Sequence, residues 1–198
     1  MGAVGVLGGA FNPPHVGHLL LAQEAGWQLG LDRLLLMVTG EAPHKEIEAD
    51  PGAEVRLEMA VLASEAGERV EASGLEVEMD GPSYTYRTLE RLTDANPGDE
   101  FVFLLGADNA AGLESWREPK RVVELARLGI VPRPGIGMGA VRSVLERLGA
   151  ADRADIIDMP LCGVSSTLIR ERAAAGRPLR HLVPDPVAEL ISSRELYR

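Results

Sequence analysis

Two histidines, His15 and His18, stand three residues apart in the stretch GGAFNPPHVGH that runs from Gly8 to His18. Gly8 and Gly9 let a ligand approach the backbone, and Pro13 and Pro14 stiffen the turn before a helix whose first N–H groups can hold an anion. At that spacing both rings can face one bound group. A neutral imidazole donates a hydrogen bond to a phosphate oxygen, and an imidazolium also offsets charge that builds on a leaving phosphate. The plain alternative is a loop histidine and a helix-capping histidine with no chemical task. His-x-x-His can also hold zinc, but no glutamate partner or third ligand is evident nearby, so no resident metal is expected.

A second set of residues lies in VSSTLIR, where Ser165 or Ser166 can cap a helix and Arg170 falls on the same side as Ser166 and Thr167 one turn later. A guanidinium there can bind two phosphate oxygens at once. Taken singly, this is also what a capped helix with a surface arginine looks like. Lys45 in APHKE follows Pro43, which restrains the loop, so its ammonium can be aimed at a phosphate as a point charge. Arg133 in RPG has the same standing. Asp108 in LLGADN follows an apolar run, where a carboxylate can accept hydrogen bonds from ribose hydroxyls or a base amine. Trp116 in LESW either stacks on a flat ring or joins the core.

The elements that must position these residues alternate. Residues 3–7 read as a buried strand, and residues 15–30 as a helix with Leu19, Ala22, Gly26 and Leu29 on one stripe and Gly30 as its C-terminal cap. A strand over 33–39, a loop over 40–52 and a helix over 53–67 follow, then extended pieces over 69–72 and 75–79. Ser83 is expected to cap the next helix, which the Asn96-Pro97-Gly98 turn closes. Strands over 100–106, 128–132 and 154–160 alternate with helices over 117–127 and 138–149. Helices over 165–176 and 185–196 end the pattern, with Asp185 and Pro186 as a cap and first-turn pair. This is the α/β class: one domain over residues 1–198, a doubly wound parallel sheet with a C-terminal helical portion. In such sheets ligands sit beyond the carboxyl ends of the strands, and the unusual residues all fall on that edge.

Composition narrows the partners. The 198 residues are 45% hydrophobic and 25% charged, which suits an ordinary globule. A formal net charge of −10 argues against nucleic acid or an anionic membrane surface as a partner, while a small anion at a local positive site is still allowed. The lone Cys162 cannot form an internal disulfide, and the apolar start carries no basic leader and is too short to span a bilayer, so a cytoplasmic protein is expected. A homo-oligomer is left open. Gly5, Gly8 and Gly9 have the wrong spacing for a dinucleotide-binding GxGxxG, and no GxxxxGK[ST] run occurs.

Six segments in this order resemble the HxGH nucleotidylyltransferases, most closely the bacterial nicotinate-mononucleotide adenylyltransferases. They are GGAFNPPHVGH, PHK, GPSYTYRTL, GAD, RPG and SSTLIR, and the likeness spans nearly the whole chain. The resemblance implies a Rossmann-like nucleotidylyltransferase fold and transfer of an adenylyl group from ATP. It implies that His15, His18 and Arg170 are the catalytic residues, with His18 the main transition-state group. Gly8, Gly9, Phe11, Lys45, Gly106, Asp108, Ser165, Ser166 and Thr167 would join them in binding ATP. Lys45, Tyr84, Thr85, Asp108, Trp116 and Arg133 would bind nicotinate mononucleotide. Two departures from the family pattern are Asn12, where an aspartate is common and little effect is expected, and Arg117, where an aromatic or histidine is frequent.

The implied chemistry suits the side chains. Attack by a mononucleotide phosphate on the α-phosphorus of ATP needs no protein nucleophile, only alignment of two anions and neutralisation of the leaving pyrophosphate by histidine, lysine, arginine, helix ends and Mg²⁺. Nicotinamide mononucleotide or phosphopantetheine are alternative acceptors, and a nucleotide sensor without turnover is a more distant alternative. A class I aminoacyl-tRNA synthetase also carries an HxGH loop, but a KMSKS segment is missing here.

Overall fold

The computed structural model describes residues 2–43 and 46–198. Six strands occur among them: β1 (Ala3–Gly9), β2 (Arg33–Val38), β3 (Val70–Ser73), β4 (Glu100–Gly106), β5 (Arg127–Val131) and β6 (Ala154–Ile156). The helices are α1 (Val16–Leu29), α2 (Ala53–Ser64), α3 (Thr85–Ala95), α4 (Ala107–Ala111), α5 (Pro119–Leu125), α6 (Met138–Leu148), α7 (Ser166–Ala174) and α8 (Asp185–Ser193). The strands form one sheet in the order β3-β2-β1-β4-β5-β6. The chain starts in the middle, winds outward on one side, then returns to the other side of β1, so the order reverses between β1 and β4. That is the doubly wound arrangement expected from the alternating elements.

The chain divides into two compact units that interleave along the sequence. The first comprises residues 1–8, 24–34 and 84–159. In it β1 pairs in parallel with β4, with Val4 opposite Phe101 and Leu7 opposite Leu104, and β4 in turn pairs in parallel with β5, and β5 with β6. Every residue from Phe101 to Leu105 is buried, because a parallel strand covered on both faces has no polar side to present. Gly129 in β5 makes room for this packing: a Cβ there would come within 2.5 Å of Leu104 and 2.9 Å of Ile157.

The second unit comprises residues 9–23, 35–83 and 160–198. Its core joins Met59 and Ala63 of α2, Ile169 and Ala173 of α7, and Val187 and Ile191 of α8, all buried, with Val183 between the last two helices. Each large apolar side chain buried in this way is worth about 1.5–3 kcal/mol relative to exposure.

Several expectations are corrected. Residues 75–79 form a turn, not a strand: the Glu78 N–H donates to the Gly74 carbonyl at 3.0 Å, closing the segment on itself. The Glu76 carbonyl lies so near Gly40 that any Cβ there would collide with it. Ser83 caps nothing; its hydroxyl accepts the Gly40 N–H at 3.0 Å, and Tyr84 holds the cap position of α3 without a side-chain bond. Helix α2 stops at Ser64 and not at Gly67, and α5 is shorter than expected, starting at Pro119 after a left-handed Glu118. Pro184, not Asp185, precedes α8, and β6 ends at Ile156. Asp108 lies in the first turn of α4, a short helix that the sequence did not announce. Among the described residues no helix is long and apolar enough to cross a membrane.

Candidate active site

In the second unit the loop after β1 turns sharply at Phe11, whose φ of 48° is left-handed and whose ring is buried. The chain then enters α1 through His15, which is only 8% exposed. The imidazoles of His15 and His18 lie 3.8 Å apart, centroid to centroid, at 31°, and the Phe11 ring meets His18 edge-on at 5.0 Å. His18 Nδ1 accepts the backbone N–H of His15 at 3.1 Å. That bond uses the Nδ1 lone pair, so the ring proton sits on Nε2 and makes Nε2–H the donor. Gly17 is fixed by the same packing. A Cβ on it would stand 3.0 Å from His15 Nδ1 and 3.2 Å from Cys162 Sγ, close enough that both neighbours would have to give.

Helix α7 docks on this loop across more than 150 residues of chain. Ser165 is its cap, accepting the Leu168 N–H at 3.2 Å, while the adjacent Ser166 hydroxyl donates to the Pro13 carbonyl at 2.8 Å. One turn on, Arg170 donates through Nη1 to the Asn12 carbonyl at 3.1 Å and through Nη2 to Thr167 Oγ1 at 3.5 Å and to Glu48 Oε2 at 2.5 Å. The structure thus brings Gly9, Phe11, His15, His18, Ser165, Ser166, Thr167 and Arg170 into one unit, with the guanidinium resting on the opening loop. Lys45, also expected here, lies outside the described residues.

Residues that sequence reasoning missed or discounted support this loop. Arg56 of α2 is fully buried. Its Nε donates to Asp50 at 2.9 Å, Nη1 donates to the carbonyls of Ala10 at 3.0 Å and Thr39 at 2.6 Å, and Nη2 donates to the Gly40 carbonyl at 3.1 Å. The signal was present: residues 56, 59, 60 and 63 share one buried helical face, and an arginine on an apolar stripe needs a reason. Asn12, only 3% exposed, is a junction where little effect was expected. Its amide donates to the Glu48 carbonyl at 2.8 Å, and its side-chain oxygen accepts the Tyr197 hydroxyl at 2.7 Å. Burial pushes the Tyr197 phenol far above its ordinary range, with the Arg170 charge opposing and Asp50 adding. Nothing in the sequence alone links Asn12 to Glu48 or Tyr197.

The first unit gathers the residues expected to meet a nucleoside or a pyridine ring. Asp108 pairs with Arg133 at 3.3 Å, both substantially exposed. A Cβ on Gly106 would run into Asp108 Oδ1 and approach Arg133 Nε at 2.7 Å, so this exposed pair would have to shift to admit a side chain. Trp116 is half-buried and packs edge-on against Phe103 at 6.0 Å, so it is neither wholly core nor a free platform. Gly8 leaves the exposed end of β1 bare, again beside Phe103. Tyr84 stacks with Tyr86 at 6.2 Å, and the Arg117 guanidinium lies 5.9 Å over the Tyr84 ring, which gives the unusual arginine after Trp116 a definite partner. Thr85 is the first residue of α3. Among the described residues no three His, Cys, Asp or Glu side chains are gathered where they could hold a metal ion.

The cytidylyltransferase-like family model matches residues 6–172. A protein of Roseiflexus sp. (strain RS-1) named "Probable nicotinate-nucleotide adenylyltransferase" is 41% identical over 197 residues, covering 98% of this chain and 98% of that one. A protein of the same name from Rubrobacter xylanophilus is 37% identical over 196 residues, covering 98% and 92%. Among solved structures, the Plasmodium falciparum nicotinic acid mononucleotide adenylyltransferase complexed with NaAD superposes with a TM-score of 0.80 at 16% identity, covering 100% of this chain and 98% of that one. At that identity the likeness speaks for the fold.

Proposed function

Because this chain belongs to the cytidylyltransferase-like family, beside relatives named nicotinate-nucleotide adenylyltransferase, we propose that it transfers the adenylyl group of ATP to nicotinate mononucleotide, giving deamido-NAD and pyrophosphate. The observation that carries this reading is the docking of α7 on the opening loop: Ser166 on the Pro13 carbonyl and Arg170 on the Asn12 carbonyl, beside the two histidines. One domain over residues 1–198 is the unit of function in this reading.

The mononucleotide phosphate oxygen attacks the α-phosphorus, and the bond from that phosphorus to the bridging oxygen of pyrophosphate breaks. No protein nucleophile enters. The chain's work is to hold the anions in line and to neutralise the leaving group. His18 Nε2–H donates to a phosphate oxygen, its direction set by the bond that Nδ1 accepts from the His15 backbone. His15 stacks behind it, and Arg170, with Ser165, Ser166, Thr167, Gly9, Phe11 and Lys45, takes the outer phosphates. Mg²⁺ would enter with ATP as part of the substrate and would help to neutralise the phosphates. Gly8, Gly106 and Asp108 serve the adenosine, and Tyr84, Thr85, Trp116, Arg133, Asp108 and Lys45 serve the pyridine nucleotide.

The test is to supply ATP, Mg²⁺ and one acceptor at a time while following pyrophosphate. Nicotinate mononucleotide should be used best. Preference for nicotinamide mononucleotide or phosphopantetheine would overturn the acceptor, and nucleotide binding without turnover would leave a sensor. His18→Ala should lower turnover at least about a hundredfold with a milder effect on ATP binding.

A further inference from the structure

Arg170 already holds an anion, and that anion belongs to the chain. Glu48 Oε2 lies 2.5 Å from Nη2 of a guanidinium whose side chain is only 13% exposed, while Glu48 itself is 79% exposed. We propose that Glu48 is a built-in stand-in for a phosphate oxygen. Its carboxylate occupies the guanidinium between turnovers, must leave when the triphosphate binds, and returns to speed release of pyrophosphate. The proposal rests on the reading of Arg170 as a phosphate ligand.

Carboxylate and phosphate are interchangeable partners for an arginine fork, each offering oxygens at charge-assisted hydrogen-bond distance. A casual surface pair would have two mobile partners and contribute almost nothing. Here both partners are anchored to the same loop. The Asn12 amide holds the Glu48 carbonyl at 2.8 Å, and Arg170 donates to the Asn12 carbonyl at 3.1 Å. Asn12 is itself held by the Tyr197 hydroxyl at 2.7 Å. The next residue, Ala49, has a left-handed φ of 48°, a conformation costly for alanine that the surrounding contacts must over-determine. The carboxylate is thus delivered to Nη2 by a tethered segment.

The tether also explains why Asn12 suits this chain. An aspartate at that position could still accept from Tyr197, but it would set a carboxylate oxygen against the Glu48 carbonyl and release the segment.

An internal competitor weakens the ligand it resembles. Removing the charge while keeping the shape, Glu48→Gln, should tighten binding of inorganic pyrophosphate to the full-length chain about three- to tenfold, and Glu48→Ala by at least as much. In turnover, pyrophosphate should become a correspondingly stronger product inhibitor, and the KM for ATP should fall. The titration is run by calorimetry on the wild type, on both Glu48 variants, on Arg170→Gln and on the double variant Glu48→Gln with Arg170→Gln. Arg170→Gln should weaken pyrophosphate binding, and in that background Glu48→Gln should have no further effect. If Arg170→Gln weakens binding but the Glu48 variants bind pyrophosphate no more tightly than wild type, the stand-in role is wrong and Arg170 remains a phosphate ligand. If Arg170→Gln leaves pyrophosphate binding unchanged, that assignment fails and takes this proposal with it. If the gain from Glu48→Gln survives without Arg170, the carboxylate acts by general repulsion and the proposal is again overturned.

Discussion

Replacing Arg56 by methionine keeps an unbranched apolar stem, though a shorter one, and removes every donor. Four hydrogen bonds disappear. The one to Asp50 matters least, since that carboxylate is 31% exposed and water can replace the guanidinium. The carbonyls of Ala10, Thr39 and Gly40 lose a charged donor, and at roughly 1 kcal/mol each after relaxation the loss is about 3 kcal/mol. That sits at the lower end of the 3–5 kcal/mol typical when one partner of a buried ionic arrangement is deleted, because the variant no longer pays to desolvate a cation. For a chain of this size each kcal/mol moves the thermal midpoint by about 2–4 °C, so a fall of about 6–12 °C follows. Arg56→Lys, with a single ammonium in place of the fork, should lose about half as much. Urea unfolding gives the free energy and calorimetry the midpoint. A methionine variant within about 2 °C of wild type, with an unchanged urea slope, would show that these carbonyls do not depend on the guanidinium.

Gly17→Ala forces its methyl against His15 Nδ1 and Cys162 Sγ, which must give by a few tenths of an ångström. Turnover should fall by about tenfold or more while the thermal midpoint changes little, and an alanine variant with wild-type kcat would refute the fit. Because the folded state raises the Tyr197 pKa above the unfolded value of about 10, the folded chain holds that proton more tightly. Its contribution is therefore whole below about pH 10 and is lost as pH climbs beyond, at up to about 1.4 kcal/mol per pH unit. The stability difference between wild type and Tyr197→Phe, measured by urea from pH 8 to 11, should shrink at the alkaline end; a constant difference would contradict the burial argument.

The residues proposed to meet phosphate stood out in the sequence because their types are costly and conspicuous: paired histidines, consecutive prolines and a serine pair before an arginine all announce themselves locally. The β4 strand was equally plain, since an uninterrupted apolar run has few alternatives. Failures came where a particular hydrogen bond, local or distant, overrode the residue pattern. The alternation in LEVEM has the period of a strand, yet a local bond from Glu78 to Gly74 makes it a turn. Ser83 has a capping residue's chemistry, but the Gly40 N–H claims its hydroxyl. Asn12 looked like a tolerated exchange because its partners lie in segments that spacing alone cannot bring together.

The bond between Asn12 and Tyr197 joins residues 185 positions apart. On a ribosome adding about 5–20 residues per second, the opening loop waits about 10–40 s for that partner to be made. A nascent chain still short of Tyr197 has its histidines but lacks the hydroxyl that steadies Asn12, so the loop reaches its folded arrangement only after Tyr197 has been made. The same logic makes the neighbourhood of Tyr197 a poor place for a truncation or a tightly fused tag, however remote from the loop it looks in sequence.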